Sequence, residues 1–309
     1  MRVLVADPAY SLETIREIVG ELAAVEESAS PWEGEDVAGL LVGPDQPVGA
    51  DDLARLPGLR VVATCSVGYD HVDVEAASGR GVWVCNVPDY CVEEMADSSL
   101  ALLLALVRGV VALDRGVREG GWDHAVAGPL RTFRGTRLAV VGFGRIGREL
   151  ASRALALGFE VWGVDPHVPA EAIAATGARP AALDEALPEC DAFSLHSLLT
   201  PETRGLIGAA EIARMRRGAL LVDTARAALV DFDAVLDALD SGQLGGAAFD
   251  VLPVEPPTPE APAPERPTLI VNPHAAWYSP ATEHEAYRRP AVAVREALEG
   301  RRPSDAVSL

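Results

Sequence analysis

The chain has 309 residues, enough for two domains of ordinary size, and its 49% apolar content excludes global disorder. A formal net charge of −20 argues against nucleic acid and anionic membranes as partners, since both repel an acidic surface. All 26 basic residues are Arg, which excludes Schiff-base chemistry and a catalytic Lys. Cys65, Cys85, Cys91 and Cys190 form no CxxC pair and no Cys/His cluster, so no metal is expected, and reduced thiols in a cytoplasmic protein are the reading. No signal-peptide pattern follows Met1. The longest apolar run, Leu100–Val107, falls far short of the roughly 20 residues that span a bilayer, and reads as a buried helix.

Short apolar runs alternate with helical patterns along the whole chain, the mark of βαβ units and parallel sheets. In the first half, strands are expected near Val3–Ala6, Gly39–Val42, Val61–Thr64 and Val82–Cys85, with a helix over Leu12–Leu22. One long helix is expected from Glu93 to about Glu119, ending at Gly120-Gly121. Six more strands follow, at Leu138–Val141, Val161–Val164, Ala192–Leu195, Leu220–Val222, Ala247–Phe249 and Leu269–Val271. That number suits a complete doubly wound dinucleotide fold. Pro253–Pro267, crowded with Pro and Glu, reads as an irregular loop. A terminal helix opens at Ser279-Pro280 and is expected to be kinked or divided at Pro290.

The fold class is therefore α/β, with two doubly wound parallel-sheet domains, Rossmann-like or flavodoxin-like, and an active site in the cleft between them. The expected boundaries are 1–98 plus 283–309 for a substrate domain and 99–282 for a cofactor domain.

Leu138–Val141 runs directly into Gly142-Phe143-Gly144-Arg145-Ile146-Gly147, and a helix-forming run from Arg148 follows. A GxGxxG sequence alone is weak evidence. Here a strand precedes it, a helix follows, and a second strand ends in Asp165, 18 residues beyond Gly147. Gly142 permits the tight turn, Gly144 the approach of a pyrophosphate, and Gly147 close helix–strand packing. Asp165 is placed to accept ribose hydroxyls and to repel a 2′-phosphate, and Pro166-His167 brings no Arg to receive one, so NAD is favoured over NADP.

Polar residues stand just past four of the later strands: His196, Arg226, Asp250 with Glu255 beyond it, and His274. In open α/β sheets ligands bind at these carboxyl ends. Hydride transfer at a hydroxyl-bearing carbon needs a base for the proton, which a carboxylate-partnered His supplies, and a cation for the anionic substrate, which Arg supplies. His71, His124, His167 and His284 read as surface residues without a role, and Trp122 and Trp162 as packing.

Several segments together resemble the D-isomer-specific 2-hydroxyacid dehydrogenase family: Ser66–Asp70, Val87-Pro88 with Glu93-Glu94, the glycine loop, Thr200–Thr203, Thr224–Arg226 with Val230-Asp231, Asp250-Val251 with Glu255-Pro256, and Pro273-His274. The resemblance implies a hydride exchanged between NAD(H) and C2 of a small 2-hydroxy or 2-oxo acid. It makes Arg226 the substrate anchor, His274 the acid/base and Glu255 its partner. The Val67 and Gly68 amides are implied to hold the substrate carboxylate, or a phosphonate in its place. Arg145, Ile146, His196, Thr203, Thr224, Ala225 and Asp250 are implied to contact the cofactor, Asp250 near the carboxamide. A homodimer built through the cofactor domain is implied as well.

Within the family, His274–Ser279 and Cys85–Glu94 look like the C-terminal binding proteins, NAD(H)-binding corepressors. Trp277 then lines the substrate pocket, with Tyr90 nearby; the alternatives are a corepressor-like binding role with vestigial activity, or a family dehydrogenase acting on a phosphonate or other non-2-oxo-acid substrate. Asp223 replaces the family's usual Asn, Ala227 a Gly, and Leu198 a Pro; these departures suggest a specialised substrate.

Overall fold

The computed structural model describes residues 1–307, which fall into two compact units: Met1–Tyr90 with the segment from Ser279 on, and Cys91–Tyr278. The division therefore comes before the helix Val92–Arg108 and not inside it at residue 98, because that helix packs whole on the second unit's sheet.

The first unit holds strands β1 (Arg2–Val5), β2 (Ala24–Glu27), β3 (Val37–Val42), β4 (Val61–Thr64) and β5 (Trp83–Cys85), all parallel, in the order β2-β1-β3-β4-β5. This is the flavodoxin-like order. Every residue of β3 and β4 is buried, which is why both read as unbroken apolar runs. Strand β2 went unforeseen because it lies at the edge and only Val25 faces inward. The terminal helix Pro280–Leu298 covers one face: a Cβ on Gly39 would come 3.0 Å from Val294, so glycine in β3 lets that helix lie close. Pro290 does not divide it; the proline sits buried inside one continuous helix.

The second unit contains β6 (Arg137–Val141), β7 (Glu160–Val164), β8 (Arg179–Pro180), β9 (Ala192–Leu195), β10 (Ala219–Asp223), β11 (Leu244–Phe249) and β12 (Leu269–Val271). Their order, β12-β11-β10-β9-β6-β7-β8, reverses direction between β6 and β9 and so defines the doubly wound switch point. There are seven strands here, not six, since β8 is an edge of two residues with no apolar run to announce it. The long helix expected over 93–119 is broken: Val92–Arg108 and Val110–Arg118 meet at 62° across Gly109, whose φ of 60° ends the first helix. No single helix among the described residues is long and apolar enough to cross a membrane.

All four cysteines are buried and outside any disulfide, and burial pushes Cys65, Cys85 and Cys190 up to about 12, which leaves those three unreactive. Trp162 packs as expected, with Arg179 stacked 3.9 Å from its ring centre, but Trp122 does not pack at all: it is 91% exposed. Phe193, fully buried in β9, anchors the core on one face of the larger sheet. Phe193→Ala should lower unfolding stability by about 3–5 kcal/mol, read from urea denaturation followed by circular dichroism.

Candidate functional site

Register fixes the second unit's site. Val164, Val141, Leu195, Asp223, Phe249 and Val271 lie in one row across β7, β6, β9, β10, β11 and β12. The residues immediately beyond that row are Asp165, Gly142, His196, Thr224, Asp250 and Asn272. The carboxyl edge thus collects the residues singled out from sequence.

At the switch point, Gly142 adopts φ 92°, and a Cβ there would lie 2.5 Å from the backbone of His196 and Ser197. A Cβ on Gly147 would stand 2.1 Å from the Gly142 carbonyl oxygen, so this glycine lets the helix Arg145–Ala156 start against the strand. Gly144 differs: a Cβ there would meet only open space, so nothing in the chain's own packing requires glycine. Close approach of a ligand to that backbone does. The Asp165 carboxylate accepts the amide hydrogens of Phe143 (2.8 Å) and His167 (2.9 Å), which fixes it beside the glycine loop with lone pairs left for ribose hydroxyls. These features fit a dinucleotide whose pyrophosphate meets the helix N-terminus. Exposed Arg145 and half-buried Ile146 open that helix.

His196 is half-buried, its Nε2 2.8 Å from the Ser194 hydroxyl, and burial pushes its pKa down to about 4, so the ring is neutral. The Thr203 hydroxyl donates to Leu198 O (2.6 Å) and accepts from the Thr200 amide (2.8 Å), so it serves the shape of its own loop. Buried Thr224 meets the Ser99 hydroxyl at 2.8 Å, which ties the loop after β10 to the helix Val92–Arg108.

Asp250 has a structural task beyond the cofactor contact foreseen for it. At 1% exposure its two oxygens accept the amides of Ala275 (2.9 Å) and Ala276 (2.8 Å), and its carbonyl accepts His274 N–H (2.8 Å). Under these ties His274 takes φ 52°, the one positive φ of a non-glycine residue among the described residues. Its Nδ1 lies 2.7 Å from Glu255 Oε2, while Glu255 Oε1 accepts Leu252 N–H at 2.5 Å. The Glu255 hydrogen bond raises the His274 pKa, against a smaller lowering by burial. Burial works to raise Glu255, but the bonds from His274 and Leu252 outweigh it and hold the carboxyl below its usual value. With Nδ1 engaged, Nε2 is the nitrogen left to carry a proton to or from a ligand. Arg226 bonds its own loop through Ala225 O (2.9 Å) and adds positive charge beside His274 and Glu255. Trp277 donates its indole N–H to His274 O (3.0 Å) and packs edge-on against Tyr278.

In the first unit, the loop after β4 is braced from its own residues and from the segment after β5. Asn86 Nδ2 donates to Val67 O (2.7 Å) and Ser66 Oγ to Gly68 O (2.6 Å). Ser66 also meets Thr64, and Thr64 meets His71 Nε2 at 3.1 Å. His71 is therefore a half-buried part of this network and not an idle surface residue; its place one residue past Ser66–Asp70 was the available signal. Half-buried Tyr90 closes this segment of the unit. No group of three or more metal-ligating side chains occurs among the described residues.

Comparison with known proteins agrees with this geometry. Residues 100–276 match the D-isomer specific 2-hydroxyacid dehydrogenase, NAD binding domain. A glycerate dehydrogenase of Methylorubrum extorquens is 35% identical over 82% of this chain and 82% of its own length. A D-3-phosphoglycerate dehydrogenase of Mycobacterium bovis is 38% identical over 87% of this chain, which spans only about half of that relative (51%). A D-lactate dehydrogenase of Aquifex aeolicus, solved with NAD and lactic acid, superposes with a TM-score of 0.87 at 25% identity, over 97% of this chain and 96% of that one. The protein belongs to the NAD-dependent D-isomer-specific 2-hydroxyacid dehydrogenase family.

Glu255→Gln should lower the His274 pKa, visible as an imidazole titration displaced to lower pH by NMR. Because the pair raises the folded-state pKa of His274, its stabilisation is present below the unfolded pKa and lost as pH rises through the folded one. The variant's stability deficit should thus be largest in mild acid and shrink in alkali.

Proposed function

We propose that this protein interconverts a small D-2-hydroxy acid and its 2-oxo acid, with Arg226, Glu255 and His274 as the catalytic set. The observation that carries the reading is the 2.7 Å His274–Glu255 pair, with the proton on His274 favoured and the Arg226 charge beside it. When bound, NAD(H) supplies the hydride acceptor or donor at nicotinamide C4. In the reducing direction Nε2 of protonated His274 gives its proton to the substrate's carbonyl oxygen, and Glu255 stabilises the imidazolium while it waits. In the oxidising direction neutral His274 takes the hydroxyl proton. Arg226 binds the substrate anion and polarises the carbonyl. The Val67 and Gly68 amides take the carboxylate, a role supported by the bracing of their carbonyls by Asn86 and Ser66. Trp277 and Tyr90 supply apolar lining. For the substrate itself, the relatives favour compact acids of the glycerate and lactate type.

The test is NADH oxidation with 2-oxo acids bearing hydrogen, methyl, hydroxymethyl and phosphorylated hydroxymethyl side chains. His274→Ala should lower kcat/KM by about 10²–10⁴-fold, and Arg226→Ala by about 10²–10³-fold. Silence across the panel with NADH still bound would overturn the 2-oxo-acid reading and turn attention to phosphonates or to a corepressor-like binding role.

A homodimer through the cofactor unit belongs to the same proposal. It is supported by an apolar surface on that unit, where Val110, Val117 and Val126 are exposed along with Trp122. Trp122→Asp should shift the protein from dimer to monomer in sedimentation velocity; a monomeric wild type would sink this part.

A further inference from the structure

Asp223 ends β10 in the middle of the site, yet the reaction proposed above gives it no task. It is wholly buried, and its Oδ2 is the one buried side-chain oxygen or nitrogen among the described residues with no hydrogen-bond partner. Its Oδ1 accepts the Ala225 amide at 2.8 Å and its carbonyl accepts the Asp250 amide at 3.0 Å, so it supports both the Arg226 loop and the loop after β11. An ionised carboxylate with one oxygen unsatisfied in such a place is costly; a neutral acid is far less so.

The charged neighbours pull the other way, and burial overrides them. Arg226 in the following loop favours ionisation through its backbone amide and its charge, and Asp250 beyond β11 opposes it more weakly. His196, beyond the flanking β9, is neutral. On the helix packed against this loop, Ser99 presents a hydroxyl to Thr224, and the carboxylates of Glu93 and Asp97 pair with Arg153. Burial is the largest influence and raises the Asp223 pKa to about 7.

We propose that Asp223 is a positioning residue held as the neutral acid, shaping the Arg226 loop as a hydrogen-bond acceptor without adding a negative charge where the substrate anion binds. With His274 protonated, Arg226 and His274 bring two positive charges and Asp250 and Glu255 two negative ones. Ionised Asp223 tips that balance to net negative and disfavours an anionic substrate. The inference rests on the 2-oxo-acid reading for its substrate, and its first readout does not.

The test compares the protein with its Asp223→Asn variant, an isosteric amide that stays neutral at every pH. Infrared difference spectra should show a protonated-carboxyl band in the wild type that titrates away near pH 7 and is missing in the variant. With the best 2-oxo acid, the two proteins should have equal KM in mild acid. Above about pH 7 the wild-type KM should exceed the variant's by about five- to tenfold, while both retain the His274 limb in kcat. Absence of the band, or a KM ratio constant with pH, overturns the proposal. The band with no turnover of any 2-oxo acid would retire the functional reading and, with it, the anion-related role of Asp223. Turnover with no band would retire the Asp223 proposal alone.

Discussion

The site depends on the buried Asp250 carboxylate and the two amides it accepts, from Ala275 and Ala276. A non-glycine residue in the left-handed region costs about 1–3 kcal/mol. Hydrogen bonds to a charged group contribute about 1.5–3 kcal/mol each. Two such bonds outweigh the strain, so the loop keeps His274 at φ 52° when free backbone would relax away. Ser98 adds a third tie by donating to Ala276 O at 3.0 Å, and Trp277 pins the His274 carbonyl. The imidazole then points its Nδ1 at Glu255 without further adjustment. The placing of the His274 ring is set here by what the backbone is forced to do.

The second constraint is parallel register. Six strands end level, so the chain needs only one or two residues past each to bring Asp165, Gly142, His196, Thr224, Asp250 and Asn272 to a common edge. Slippage of one residue in β10 would turn Asp223 to the other face and carry Arg226 with it. The strands are buried on both faces, which leaves their ends as the places where polar side chains cost least. Chemistry therefore gathers at the edge for the same reason that the strands are apolar.

This logic also decides what could be read from sequence. Buried strands such as β3, β6 and β9 announce themselves as apolar runs, and the glycine loop stands out because strand, turn and helix follow in order. Edge strands β2 and β8 carry little apolar signal because they bury little. The helix break at Gly109 was hidden by a continuous helical pattern; tertiary crowding, a Cβ there falling 2.6 Å from Ala127, demands glycine in a left-handed turn. His274, Glu255 and Arg226 were legible as residue types past strands, but the hold of Asp250 on the His274 loop was not, since it joins residues 25 and 26 positions apart. Trp122 misled because an aromatic residue suggests packing, whereas its neighbours in the fold leave it bare. Asp223 was visible as a departure from the family pattern; its orphaned oxygen belongs to three dimensions alone.

A protein of net charge −20 that takes up an anionic cofactor and an anionic acid faces a long-range field against both. At physiological ionic strength that field fades over about 8 Å, so binding is decided by the groups nearest the ligand. Many of the arginines are committed elsewhere: Arg131 and Arg216 to Asp191, Arg153 to Glu93, Asp97 and Glu149, Arg289 to Asp89 and Asp305. The positive groups that stand at the site are the amides at the start of the helix Arg145–Ala156, with Arg145 itself, the Arg226 guanidinium, and His274 when protonated. Where attraction is decided by the nearest charges, one additional carboxylate matters. Burial favours the proton on Asp223 and so limits the charge it adds there, and that burial follows from its place in an interior strand of the sheet, with β11 and β9 on either side.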